Sequence, residues 1–66
     1  MHKDNDRHML VSDAIHKAVR QLINSGHEVT RKATISTLEK LRQNEKEPYL
    51  SDIYRDASLM VRNGKI

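Results

Sequence analysis

The sequence predicts an all-α fold with three helices, over about residues 9–25, 30–44 and 49–62, in a single helical domain of residues 9–66. Three observations predict it. Apolar residues recur at intervals of three and four, as on one face of a helix. No segment shows the two-residue alternation of a half-buried strand. Gly or Pro follows each predicted helix. Residues 1–8 are polar and are expected to form a flexible N-terminus.

The first predicted helix has a wide apolar stripe. We expect one edge to pack on the other two helices and the other edge to meet a second subunit, which gives a homodimeric helical bundle. The residues assigned to this dimer interface are Val11, Ile15, Val19, Leu22 and Ile23. The alternative is that the whole stripe is the core of a monomer. Gly26 is expected just beyond the helix end, because glycine adopts the left-handed conformation without a Cβ penalty.

The second and third predicted helices differ in their apolar faces. Thr30 is expected to cap the second helix, and Pro48 disfavours its continuation through Glu47. Its apolar seam is thin and consists of Ala33, Ile35, Leu38 and Leu41. The third helix has a broader face, formed by Leu50, Ile53, Tyr54, Ala57, Met60 and Val61. Leu59 falls outside that face and is expected to be exposed.

The composition favours self-association. The chain has 66 residues, of which 36% are hydrophobic, and it contains no Trp, Phe or Cys. Domains of this size bury only about 60% of their unfolded surface. The absence of Cys excludes disulfides and thiolate metal sites, which are two of the usual supports for small domains. A dimer is therefore the expected source of additional buried surface.

The charge allows a nucleic-acid partner. The formal net charge is +3 with the histidines neutral. The candidate nucleic-acid contacts are Arg31, Lys32, Lys40 and Arg42 in the second helix and Lys17 and Arg20 in the first. Free N–H groups at the start of the second helix, together with two cations, could hold a phosphate. The competing interpretation is solvated charge, because an unfavourable dipole interaction costs only about 0.3–1 kcal/mol per residue.

Catalytic and metal-binding patterns find little support. Ser12, Asp13 and His16 lie within one helical turn on the polar side, without the convergent geometry of a triad. The four histidines lack the paired spacing of metal ligands. We therefore expect no enzyme activity, no metal, no cofactor and no small-molecule substrate. No stretch approaches the roughly 18 apolar residues of a membrane span, so no membrane association and a cytoplasmic location are expected.

The segment AVRQLINSGHEVTRKATISTLEKL, residues 18–41, resembles the central part of the small enterobacterial YmgB/AriR regulators of biofilm formation and acid resistance. The matching positions are Ala18, Val19, Leu22, Ser25, Gly26, Val29, Lys32, Ile35, Leu38 and Leu41. The resemblance implies an all-helical cytoplasmic dimer that acts through a phosphorelay system or through loosely specific DNA binding. Lys32 is the one basic position of the matched segment that it carries over as a contact.

Two functions stay open at this point. The first is a dimeric transcription regulator that binds DNA with weak sequence specificity. The second is an adaptor of a two-component signalling system that binds a signalling protein through an apolar edge of the first helix or through Leu59. A helix-turn-helix is disfavoured, because the connection through NEKEP looks longer than the usual three to four residues. Asp52 and Asp56 would also face phosphates poorly.

Overall fold

The chain folds into three helices. The computed structural model describes residues 3–64, with side chains from residue 6 onward. The helices are α1 (Lys3–Asn24), α2 (Arg31–Asn44) and α3 (Pro48–Arg62), and residues 3–64 contain no strand. The predicted all-α, three-helix fold is therefore confirmed, whereas the homodimer stays a prediction.

Helix α1 begins at Lys3, about six residues before its predicted start. Residues 3–8 are helical rather than irregular, and residues 1–2 of the predicted flexible segment lie outside the described part of the chain. The reason is a polar contact. Arg7 Nε donates to Asp56 Oδ2 at 3.1 Å, and its guanidinium lies 5.7 Å from the centroid of the Tyr49 ring. The hydrogen bond to Asp56 raises the pKa of the Arg7 guanidinium above its ordinary value. Apolar spacing does not reveal this contact between α1 and α3.

Helix α1 ends as the sequence predicts. Gly26 has a φ of 74°, in the left-handed region. The Gly26 N–H donates to the Ile23 carbonyl at 3.0 Å, and the His27 N–H donates to the Leu22 carbonyl at 2.9 Å. This pair of hydrogen bonds defines a Schellman motif, which satisfies the carbonyls left free at a helix end.

The connection between α2 and α3 is shorter than predicted. It consists of Glu45, Lys46 and Glu47, because Pro48 is the first residue of α3 and not part of the turn. Proline is favoured at the first helical position, where its missing N–H has no intrahelical partner to lose. The length of this turn therefore does not exclude a helix-turn-helix, and the expectation of a longer connection is wrong.

Helices α2 and α3 form an antiparallel hairpin. At one end, the Ser51 hydroxyl lies 3.5 Å from the Arg42 carbonyl oxygen. At the other end, the Arg31 guanidinium lies beside Gly64, with an Nη atom 3.8 Å from the position that a Cβ would occupy on this glycine. Helix-turn-helix pairs cross at about 90–120°, which would separate the far ends of helices of this length by roughly 20 Å or more. The hairpin therefore differs from a helix-turn-helix in its crossing angle.

The core lies where the three helices meet. Its buried residues are Val11, Ala14, Ile15, Ala18, Leu38, Ile53, Tyr54, Ala57 and Val61. The predicted apolar face of α3 is confirmed, and Leu59 is 43% exposed, as expected. On α2, Leu38 is fully buried, whereas Ile35 and Leu41 are only partly buried. Thr34 is also buried, because its hydroxyl donates to the Thr30 carbonyl at 2.7 Å and so needs no water.

The predicted dimer interface is wrong for three of its five residues, because they belong to the core of the chain itself. Val11, Ile15 and Leu22 are buried within the chain itself and are not free to meet a second subunit. Val19 is partly buried, and Ile23 is 62% exposed. The apolar stripe of α1 is therefore mostly committed to α2 and α3. Within the described residues, no helix has the length and apolar character needed to cross a membrane.

Candidate nucleic-acid interface

The net positive charge of the chain is concentrated in one helix. Helix α2 carries four basic residues and one acidic residue, a net charge of +3. Helix α3 carries two of each and is neutral. Helix α1 carries four basic and three acidic residues. An anionic partner attracted by charge would therefore meet α2 first.

Four exposed side chains form what we call the basic surface of α2: Arg31, Lys32, Lys40 and Arg42. At 100° per residue they span half the circumference of α2, with Arg31 and Arg42 at one edge, beside the buried Leu38, and Lys40 at the other edge. Among the described residues, none of the four forms a salt bridge or a side-chain hydrogen bond. Their charges are therefore available to an anion.

The one acidic side chain of α2 is already paired. Glu39 lies among the four basic residues in sequence and is exposed. Its Oε2 lies 3.5 Å from an Nη atom of Arg62, in the last turn of α3. The pair is exposed, so it contributes little to stability, about 0–1 kcal/mol. Its consequence is electrostatic, because Arg62 compensates the only negative charge of α2.

The start of α2 presents backbone donors as well as cations. Thr30 is the N-cap, as predicted, and its Oγ1 accepts from the Ala33 N–H at 3.0 Å. The N–H groups of Arg31 and Lys32 precede the first intrahelical hydrogen bond and point out of the helix. They would add two donors to the cationic side chains at the same place.

The position of the Arg31 side chain explains why a cation is tolerated at the positive end of the α2 dipole. Its guanidinium lies beside Gly64, at the carboxyl end of α3. The last carbonyl groups of a helix carry partial negative charge. The antiparallel hairpin therefore places Arg31 next to the negative end of α3, and this favourable interaction opposes the unfavourable one with the start of α2.

A groove of about 430 Å³, lined by both polar and apolar side chains, lies between the end of α1 and α2. Its lining residues are Gln21, Leu22, Ser25, His27, Glu28, Thr30, Ala33, Ser36, Thr37 and Lys40. Hydroxyl and amide groups of this kind supply contacts to the sugar-phosphate backbone. Glu28 is the exception, since its carboxylate would repel a phosphate. The groove extends the polar side of α2 next to Lys40.

Two of the predicted contacts lie elsewhere. Lys17 Nζ donates to the Tyr54 hydroxyl at 3.2 Å, where α1 packs on α3. Arg20 is exposed on the side of α1 turned away from the buried Ala18 and Leu22. The structure thus places the four predicted residues of α2 on one helix, spread over half of its circumference, and separates them from the two of α1. Arg62 was not selected in the sequence analysis. A basic residue in the last turn of a helix is favoured by the helix dipole, and this preference is the one sequence signal that could have drawn attention to it.

Residues 6–64 contain no cluster of three or more His, Cys, Asp or Glu side chains arranged to hold a metal ion. No protein-family model, curated protein or solved structure matches the chain. The surface of α2 is therefore the main indication of function, and the relationship of residues 18–41 to the YmgB/AriR regulators stays a proposal.

Proposed function

We propose that the chain is a small, non-enzymatic, dimeric regulator of transcription that binds DNA with weak sequence specificity. The basic surface of α2 would contact phosphates. The observation that carries this proposal is the set of four cations on α2 that form no ion pair within residues 6–64, beside a Glu39 that is paired. The resemblance to the YmgB/AriR regulators supports a role in biofilm and acid-stress responses and a location in the cytoplasm.

The dimensions of α2 suit a duplex backbone. Arg31 and Arg42 are eleven residues apart, about 16 Å along the helix axis. Duplex DNA carries one negative charge per about 1.7 Å of its axis, so this length spans several phosphates. Phosphate contacts position a protein without reading bases, which accounts for weak sequence specificity.

Helix α3 is poorly suited to read bases. It lies antiparallel to α2 and does not diverge from it as a recognition helix does. Asp52 is exposed and Asp56 partly exposed, and both would meet phosphates of the same sign. Specific base contacts through α3 are therefore disfavoured, although the connection has the length of a helix-turn-helix.

The test is a salt titration of binding to a short fluorescent DNA duplex, followed by anisotropy. The double variant Lys32→Ala with Lys40→Ala removes two cations that make no described contact within the chain. We expect weaker binding on any sequence and a salt slope smaller by about 1.8, since each neutralised phosphate contributes about 0.9. A second double variant, Arg31→Ala with Lys32→Ala, tests the start of α2, with circular dichroism to verify its folding.

The matched control is Lys46→Ala with Arg55→Ala. Both residues are exposed and lie outside the basic surface, and the net charge falls by the same two units. We expect the control to keep nearly the wild-type slope. Equal slopes for wild type and both α2 variants would refute the assigned surface.

A second candidate function rests on a different observation. Met9 and Ile23 are exposed on α1, at 66% and 62%, and such side chains suit a protein-binding adaptor of a signalling system. Absence of DNA binding near physiological ionic strength, about 0.15 M, would favour the adaptor over the DNA-binding regulator.

A further inference from the structure

The side of α1 turned away from the core carries the two most exposed large apolar side chains among the described residues. They are Met9 and Ile23. His16 lies midway between them, seven residues from each. Seven residues are nearly two helical turns, with a drift of only about 20°, so the three side chains form one stripe. Neither α2 nor α3 covers this stripe. We call it, together with Asp13, Val19 and Arg20 at its edges, the outer face of α1.

The outer face is complementary to itself in an antiparallel arrangement. Met9 and Ile23 lie about 10.5 Å on either side of His16 along the helix axis. If a second α1 packs against the first with a two-fold axis at His16, Met9 of each copy meets Ile23 of the other. The same apolar contact then occurs twice, as an interface between identical surfaces requires.

The charges at the edge favour the same arrangement. Asp13 and Arg20 are also seven residues apart, so they lie on one edge of the outer face. The two-fold axis keeps that edge on the same side and places Asp13 of one copy beside Arg20 of the other, with about 1.5 Å between them along the axis. A parallel two-fold arrangement would instead carry this edge to the opposite side of the interface, so that Asp13 and Arg20 would face the edge that carries Val19 and find no opposite charge. Opposite charges therefore select the antiparallel dimer.

We propose that a second copy of this chain docks on the outer face of α1, antiparallel and centred on His16. This inference rests on the dimer in the proposed function and identifies its surface. The proposed interface uses accessible residues in place of Val11, Ile15 and Leu22, which are buried. It also leaves the basic surface of α2 free on both copies, so that one dimer would present eight cations to DNA.

A cysteine cross-linking experiment tests the position of the axis. The chain contains no Cys, so each variant carries a single thiol. In His16→Cys the two thiols meet at the axis, and we expect a disulfide-linked dimer when glutathione disulfide is added as oxidant. Ser12→Cys is the matched control on the same face. Its two copies would be about 12 Å apart along the helices, beyond the roughly 7 Å Cα separation that a disulfide tolerates. Equal cross-linking of both variants, or of neither, would contradict the proposed axis.

A charge exchange tests the edge contacts, with dimerisation measured by sedimentation equilibrium. Asp13→Arg or Arg20→Asp alone places like charges together at two symmetric positions, and we expect dimerisation to weaken roughly tenfold or more. The double exchange restores opposite charges and should bring the dissociation constant close to that of wild type. A double variant as weak as the single variants would overturn the proposal, provided that circular dichroism shows all three folded.

The outcomes separate this inference from the proposed function. A monomer whose DNA binding depends on Lys32 and Lys40 would overturn the dimer and its surface, but not DNA binding through α2. A dimer with the expected cross-link that does not bind DNA would overturn only the DNA-binding function. A monomer that buries Ile23 only when a signalling protein is added would overturn both in favour of the adaptor.

Discussion

Helices α2 and α3 are antiparallel and nearly equal in length, yet they have opposite roles. Helix α3 buries Ile53, Tyr54, Ala57, Ser58 and Val61 and has no net charge. Helix α2 buries only Thr34 and Leu38 and carries a net charge of +3. Burial fixes α3 in the core, whereas low burial leaves most of the surface of α2 available for charged side chains. A small domain can therefore present a strongly charged surface without giving up core residues.

The two helices also begin differently. Thr30 caps α2 through a side-chain hydrogen bond, whereas Glu47 precedes α3 without one and Pro48 supplies the first helical residue. A helix with little burial gains less from packing, so local hydrogen bonds account for more of its stability. The comparison thus indicates that α2 depends on a few individual residues and α3 on a broad apolar face.

The largest expected effect is the loss of Leu38, which is fully buried. Leu38→Ala should lower the free energy of unfolding by about 2–5 kcal/mol, through lost burial and the cavity left behind. Ile53→Ala in α3 should cost a similar amount. Urea denaturation followed by circular dichroism measures both.

Leu41→Ala is the control for Leu38, because Leu41 is only partly buried on the same helix. Leu38→Met, which nearly conserves volume, should cost less than about 1.5 kcal/mol and stays measurable if the alanine variant does not fold. A larger loss for Leu41→Ala than for Leu38→Ala would contradict the description of α2 as held mainly at one residue.

A smaller effect is expected at the start of α2. Thr30→Ala removes the acceptor for the Ala33 N–H and should cost about 1 kcal/mol, within a range of about 0.5–2. Thr30→Ser should keep most of this stability. Glu47→Ala should have little effect, since the Glu47 side chain makes no cap hydrogen bond. Thermal unfolding of the three variants measures these losses of stability. Equal losses for Thr30→Ala and Glu47→Ala would contradict the proposal that a side-chain cap stabilises α2 but not α3.

The features that the sequence predicts correctly depend on local chemistry. The Thr30 cap, the turn at Gly26 and the exposure of Leu59 each follow from residues within one or two helical turns. The start of α1 was not predictable in this way, because it depends on Arg7 contacting Asp56, 49 residues further along the chain. Pro48 was equally ambiguous, since proline suits both a turn and the first residue of a helix.

The surfaces were only partly predictable for the same reason. Periodicity shows that Val11 and Ile15 are apolar and face one side, but not whether their own chain or a second copy covers them. Their burial shows that the chain itself does. The four cations of α2 were predicted from the sequence, whereas the pairing of Glu39 with Arg62 requires the antiparallel hairpin to be known.

The smallest expected effect on stability is at Glu39, and it sharpens the difference in charge between the two helices. Glu39→Gln removes the only acidic side chain of α2 and leaves Arg62 without this partner. Stability should change by less than about 1 kcal/mol, because the ion pair is exposed. DNA binding should instead strengthen, with the salt slope rising by up to about 0.9 if Arg62 reaches a phosphate. Asp52→Asn in α3 changes the net charge equally but lies outside the basic surface, so its slope should stay close to that of wild type. If both variants strengthen binding alike, net charge and not the surface of α2 governs the interaction.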